Sequence, residues 1–407
     1  MAPEHSKFPA ITVDFDLTEA RVGLRDVSAS RLADLAPGHA RVRPLYVALC
    51  ATDKGLDAGT HGAPRLDSPI LVTGHEAVCE IVDLADDLNN NSCPFKIGDR
   101  VMVKIRMPND DVDPDSLLAK RPDRFHDPDN WHEFGMFRQD GALTYLRSVP
   151  IEQLVLIPNG EVNPEHYVLG DGVTCVIKNI RALLLERSNK ISSADNRFSV
   201  FDQEVTLNLP LQEKLNTLVI GAGSIGQSAL MVLRSLDHSV TVVDTLPEDS
   251  LKARLVNMLG GTYRRIDITS NDYVTAVRNE NGPFSLIFDG SGSDVASELW
   301  SLAADNMGVI GTLSIPHGSN TSPGQLPQSK ELKRNQVLRD VSQFATVNAG
   351  PEDWLDFPIV MARVQNLNPG YLNQLLTLGV PFDPKEITAA ASDPTYIKPV
   401  VAVAEHF

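Results

Sequence analysis

Apolar and polar positions along this chain keep one rhythm up to about residue 100. There, short alternating runs at 41–49, 77–84 and 100–105 each predict a strand bounded by turn residues. A stretch rich in Asp and Pro follows at 106–130, with Pro108, Pro114, Pro122 and Pro128, and predicts a long surface loop. Between about 210 and 345 the texture changes. Apolar runs at 215–220, 239–244, 284–288 and 308–315 read as strands, and 224–236, 251–259 and 294–304 carry helical periodicity. Strands alternating with helices at this spacing predict βαβ units and a parallel sheet. The polar segment 189–213 reads as an insertion ahead of that sheet. After about 345 the alternation is lost, and 397–403 predicts a last strand that returns to the first domain.

Composition narrows the picture only a little. At 407 residues, 42% hydrophobic and 22% charged, the chain has room for two ordinary globular domains. A net charge of −17 disfavours nucleic acid and anionic lipid as partners. No run approaches the roughly 18 apolar residues that span a bilayer. Residues 1–10 lack the basic, apolar and cleavage-site series of a signal peptide. Four cysteines (Cys50, Cys79, Cys93 and Cys175) are too sparse for a disulfide scaffold, and point to reduced thiols in a cytoplasmic protein.

Two groups of residues carry chemistry. Gly221, Ala222, Gly223, Ser224, Ile225 and Gly226 spell G-x-G-x-x-G between an apolar strand and a helix. In that context the first glycine permits a tight turn and the second lets backbone amides approach a pyrophosphate. The third allows close packing of helix on strand, and the helix N-terminus favours the anion. A sheet that binds a flavin or another nucleotide, or a decayed site, is the competing reading. Asp244, eighteen residues after Gly226, ends the next strand, where its carboxylate can accept from an adenosine ribose and repel a 2′-phosphate. NAD is therefore expected, with NADP as the second candidate. Ser291, in Asp289-Gly290-Ser291-Gly292, is a candidate wall beside the nicotinamide ribose, although a plain turn explains the same glycines.

The second group is Cys50 in Cys50-Ala51-Thr52-Asp53 and His75 in Gly74-His75-Glu76, followed by Gly98-Asp99-Arg100-Val101. A soft thiolate with an imidazole suits zinc, and a catalytic zinc needs three protein ligands and one open position. Together these motifs resemble the catalytic domain of the medium-chain dehydrogenase/reductase (zinc alcohol dehydrogenase) superfamily. Within it, the chain is most similar to the archaeal-type glucose dehydrogenase branch. Gly170-Asp171-Gly172 followed by Lys178 and Ala182, Val347-Asn348, and Ile397-Lys398 carry that likeness.

The resemblance implies an α/β fold: a GroES-like β-rich catalytic domain over 1–185, a Rossmann domain over 186–345, and a return to the catalytic domain over 346–407. It implies Cys50 and His75 as zinc ligands, and Asp171 where the branch has a ligating glutamate. Glu76 becomes a further ligand or supporting carboxylate, and Thr52 the proton-relay hydroxyl. Cys175 is a rival to Asp171. Residues 106–140 hold no cysteine, so one catalytic zinc and no structural zinc are expected. Gln139 falls where the branch carries a substrate-side glutamate, and Asn348 is a second candidate there. The implied activity is oxidation of a hydroxyl of a sugar, cyclitol or other polyol by hydride transfer to nicotinamide, in a homodimer or homotetramer. Two other readings stand beside it: a zinc-free enone or quinone reductase of the same superfamily, and a non-catalytic binding protein on a decayed dehydrogenase scaffold.

Overall fold

A computed structural model describes residues 7–407, apart from 19–20, 89–92, 110, 125–126, 161, 192–213, 271, 293–299, 314–341 and 346–347. Among the described residues, the first part of the chain supplies eleven strands. These are β1 (Lys7–Asp14), β2 (Val22–Ser28), β3 (His39–Ala48), β4 (Ile70–Val72), β5 (Glu76–Leu84) and β6 (Arg100–Val103). After them come β7 (Arg106–Pro108), β8 (Trp131–Phe134), β9 (Arg138–Gln139), β10 (Arg147–Pro150) and β11 (Leu154–Leu156). The middle supplies β12 (Asn216–Ile220), β13 (Ser239–Asp244), β14 (Thr262–Arg265), β15 (Phe284–Asp289), β16 (Ala304–Thr312) and β17 (Ser342–Ala345). β18 (Leu376–Leu378) and β19 (Lys398–Ala402) close the chain.

Two units form. The first takes residues 1–171 and 372–407, the second 172–371. Both crossings therefore differ from the expected ones after 185 and after 345. The first falls at the start of the helix Gly170–Ile191, most of which belongs to the second unit. The second follows the helix Pro351–Leu367, which packs on the helix Ser224–Ser235 of the second unit. The last strand does return to the first unit, where β19 pairs antiparallel with β3.

In the first unit the main sheet runs β11-β6-β5-β3-β19-β18, with β10 also on β3. An irregularity in the β3–β5 pairing between Pro44 and Tyr46 decides which way β3 faces afterwards. Before it, Ala40 and Val42 enter the core; after it, Val47 and Leu49 do. Because alternate residues of a strand point to opposite faces, Ala48 and Cys50 are turned away from that core. Ala77, Cys79 and Ile81 on β5, and Val401 after Val400 on β19, obey the same parity. Glu76 and Lys398 thus share the face of Cys50.

The stretch expected to be one long loop is partly ordered. β7 lies within it and joins β8 and β9, which follow it, in a small sheet, with Arg106 stacked 3.7 Å over the Trp131 ring and paired with Glu133 at 2.8 Å. Its Asp and Pro content hid β7, a strand of 3 residues whose Arg106 pairs with Glu133 from 27 residues further on.

In the second unit all six strands pair in parallel, in the order β14-β13-β12-β15-β16-β17. The order reverses beside β12, which is where open α/β sheets bind ligands at their strand C-termini. Leu218, Ile220, Val243, Phe284, Ile287 and Ile310 fill one layer of the core beneath Trp300. The predicted helices at 224–236 and 251–259 appear as Ser224–Ser235 and Leu251–Met258. Most of the predicted insertion and most of the helix expected over 294–304 lie outside the described residues, as does Val347. Among the described residues no helix is long and apolar enough to cross a membrane.

Candidate metal centre and dinucleotide loop

Cys50 leaves β3 and caps the helix Ala51–Ala58. Its Sγ accepts from the Thr52 amide at 3.3 Å, while its own N–H donates to Asp53 at 2.8 Å. This reciprocal capping fixes the thiol at the strand end. His75, fully buried, begins the turn into β5 and brings Nε2 to 3.2 Å from Cys50 Sγ. Its Nδ1 makes no hydrogen bond among the described residues and faces the Asp53 carboxylate across 3.7 Å, so the ring lies between a thiol and a carboxylate. Burial alone would lower the His75 pKa. The charges of Cys50 and Asp53 outweigh it together and hold the imidazole well above its ordinary value.

Glu76 completes the group: the ligand atoms of Cys50, His75 and Glu76 all lie within 4.8 Å of one another. Two ligands of one tetrahedral zinc, a thiolate and an imidazole, stand about 3.5 Å apart. The Cys50–His75 pair therefore fits such an ion with a few tenths of an ångström of adjustment. The strand register delivers a cation too. Val400 pairs with Ala48 and Ala48 with Glu76, so Lys398 arrives beside Cys50 and its Nζ donates to Glu76 Oε1 at 2.6 Å. Burial works to lower the Lys398 pKa, but Glu76 and Cys50 raise it above the ordinary value, so the ammonium stays charged.

The short helix Pro164–Leu169 packs on β3 and β5 and leads into Asp171. Asp171 is outside the compact donor set, yet its carboxyl is pushed up to about 6, by burial first and then by the charge of Glu76. Cys175 is buried one helical turn further on, in the second unit. Thr52 is half-buried in the first turn of the helix that Cys50 caps. Gln139 exchanges hydrogen bonds with Gln153 at 2.9 and 3.1 Å, and Gln153 donates in turn to the Lys104 carbonyl. The amide expected to face substrate is thus engaged within the fold. Asn348 lies in the second unit, with a left-handed φ of +57°.

Sequence reasoning missed Asp53 and Lys398. Asp53 stood inside the quoted Cys50-Ala51-Thr52-Asp53 turn and could have been found as a partner for a histidine. Lys398 stood in the quoted Ile397-Lys398 pair, but its partnership with Glu76 could not be read there, because 322 residues separate the two.

The glycine loop sits between β12 and the helix Ser224–Ser235. Gly221 turns with φ +88°, and a Cβ on Gly226 would lie 1.8 Å from the Gly221 carbonyl oxygen. A Cβ on Gly223 would meet nothing within 4 Å, so the backbone there is open to a ligand. Asp244 accepts from the Ala222 amide at 2.7 Å and from the Leu246 amide at 3.2 Å. Arg265 of β14 stands opposite it in the parallel register. Ser291 donates to Asp289 at 2.8 Å, and its backbone approaches Gly221 closely. Open backbone at a helix N-terminus with a carboxylate at the next strand end fits a dinucleotide.

Family models match both parts of the chain. The Alcohol dehydrogenase GroES-like domain family matches residues 36–159, and the Glucose dehydrogenase C-terminus family matches 209–403. Glucose 1-dehydrogenase 2 of Vulcanisaeta moutnovskia is 30% identical over 314 residues, 77% of each chain. This chain belongs to the glucose dehydrogenase family. Its membership places it in the archaeal-type branch of the medium-chain superfamily. Glucose 1-dehydrogenase of Thermoproteus tenax is 28% identical over 353 residues, 85% of this chain and 87% of that one. The fold is shared with Haloferax mediterranei glucose dehydrogenase, solved in complex with NADP, Zn and gluconolactone. There the TM-score is 0.76 at 21% identity, covering 97% of this chain and 99% of the other.

Proposed function

We propose that this family member is a zinc-dependent, NAD(P)-linked dehydrogenase that oxidises a hydroxyl of a sugar or similar polyol. The observation that carries the reading is the 3.2 Å approach of Cys50 Sγ to His75 Nε2, with Glu76 in the same cluster. It is supported by relatives named glucose 1-dehydrogenase. When bound, zinc supplies Lewis acidity toward a substrate hydroxyl and the nicotinamide accepts the hydride.

Cys50 and His75 would hold the ion, with Glu76 and Asp171 as the carboxylates that complete or support the set. Asp53 orients the His75 ring, and a ring so held presents Nε2 to the ion. Lys398 holds Glu76 and offsets part of the negative charge gathered by the thiolate and carboxylates. Thr52 carries the substrate proton outward. In the second unit Gly221, Gly223, Ser224, Ile225 and Gly226 cradle the pyrophosphate, and Ser291 borders the ribose. Asp244 accepts from the adenosine ribose, which favours NAD over NADP. Gln139 and Asn348 remain the candidates for substrate hydroxyls. No disulfide joins Cys50, Cys79, Cys93 or Cys175, and a reducing compartment such as the cytoplasm is part of the proposal. One zinc per chain and a dimer or tetramer complete the proposal.

Elemental analysis together with a panel of aldoses, cyclitols and simple alcohols, read by NADH absorbance, tests this. One zinc per chain and a kcat/KM for an aldose or cyclitol at least a hundredfold above that for ethanol or cyclohexanol are expected, because unpaired buried polar groups penalise an apolar substrate by roughly that factor. Two zincs per chain, undiminished turnover after exhaustive chelation, or equal turnover of cyclohexanol would overturn it.

A further inference from the structure

Ala222, between the first two glycines of the loop, is gripped at both ends. Its N–H donates to Asp244 at 2.7 Å, and its carbonyl accepts from Gln227 Nε2 at 3.2 Å. The same Nε2 donates to the Lys252 carbonyl at 3.2 Å, and Gln227 Oε1 accepts from the Tyr371 hydroxyl at 2.8 Å. One primary amide therefore spends both donors and an acceptor on three segments: the glycine loop, the helix Leu251–Met258 after β13, and Tyr371 at the end of the second unit. Gln227 is 1% exposed and Tyr371 fully buried. Burial pushes the Tyr371 hydroxyl far above its ordinary pKa, so it stays protonated as the donor.

Nothing about the βα turn requires such a bracket. The third glycine already sets the helix on the strand, and a plain apolar residue at 227 would serve the packing. A carbonyl in a glycine-rich loop is free to rotate, and turning the Ala222 peptide would swing the Gly223 amide away from a phosphate. We propose that Gln227 and Tyr371 are positioning residues for dinucleotide binding: they lock the Ala222 peptide so that the amides of Gly223, Ser224 and Ile225 stay aimed at the pyrophosphate. The inference rests on the reading of this loop as a dinucleotide site. Neither side chain touches the ligand; each acts through the Ala222 carbonyl.

Calorimetric titration of the whole protein with ADP-ribose and NAD tests this on the wild type, Tyr371→Phe and Gln227→Met. Tyr371→Phe, which deletes one hydroxyl, should raise both dissociation constants about fivefold, the effect of one lost hydrogen bond. Gln227→Met should raise them at least about tenfold, with KM for NAD rising in step and kcat unchanged. Zinc content should not move. Should Gln227→Met fail to fold, Tyr371→Phe decides alone. Folded variants that lose thermal stability but bind with wild-type affinity would reduce the pair to packing and overturn the inference. A wild type that binds neither ADP-ribose nor NAD would remove the dinucleotide reading itself, and the inference with it.

Discussion

The glycine loop and the metal cluster are built on opposite plans. The loop's chemistry is backbone, carried by six consecutive residues and one carboxylate at the next strand end. The cluster's chemistry is side chain, gathered from the ends of three neighbouring strands and brought to one face by a parity shift in β3. A contiguous backbone site tolerates changes in its surroundings that leave the turn intact. A gathered site depends on register, and each member leans on charges delivered from elsewhere.

The largest expected effect strikes that dependence. Lys398→Met leaves Glu76 as an uncompensated buried charge, which costs about 3–5 kcal/mol. Urea denaturation should show this loss, and Glu76→Gln added to Lys398→Met should recover most of it. A single variant as stable as wild type would show that the pair is incidental. In the other unit a smaller effect is expected. Asp244→Ser should narrow the preference for NAD over NADP by roughly tenfold, since a like charge beside the 2′-phosphate is removed. Both affinities should also weaken, because the Ala222 amide loses its acceptor. A wild type that prefers NADP would reverse the role given to Asp244.

The same contrast governs how much could be read from the residues alone. The strand–glycine–helix unit and Asp244 were legible because every residue that defines them is local, and the parallel sheet followed from its period. Cys50 and His75 were legible as residue types inside short motifs. Lys398 was not, since only the order β5-β3-β19 makes it a neighbour of Glu76. Gln139 was placed on the substrate side by resemblance alone, and its pairing with Gln153 of a later segment could not be read from the residues around it. The small sheet β7-β8-β9 escaped notice because its strands are shorter than the window over which alternation can be recognised. The domain crossings were displaced because helical periodicity at Gly170–Ile191 and Pro351–Leu367 does not say which sheet a helix covers.

The proposed function requires Cys50 to supply a thiolate ligand to one metal ion per chain. Titrating cobalt(II) into zinc-free protein and following the near-ultraviolet absorption of a sulfur–metal bond tests this most directly, because a soft thiolate ligand announces itself there and oxygen or nitrogen ligands do not. The band should grow to saturation at one equivalent in the wild type and be absent in Cys50→Ser. Its absence from the cobalt-loaded wild type, or its survival in Cys50→Ser, would rule out Cys50 as the thiolate ligand.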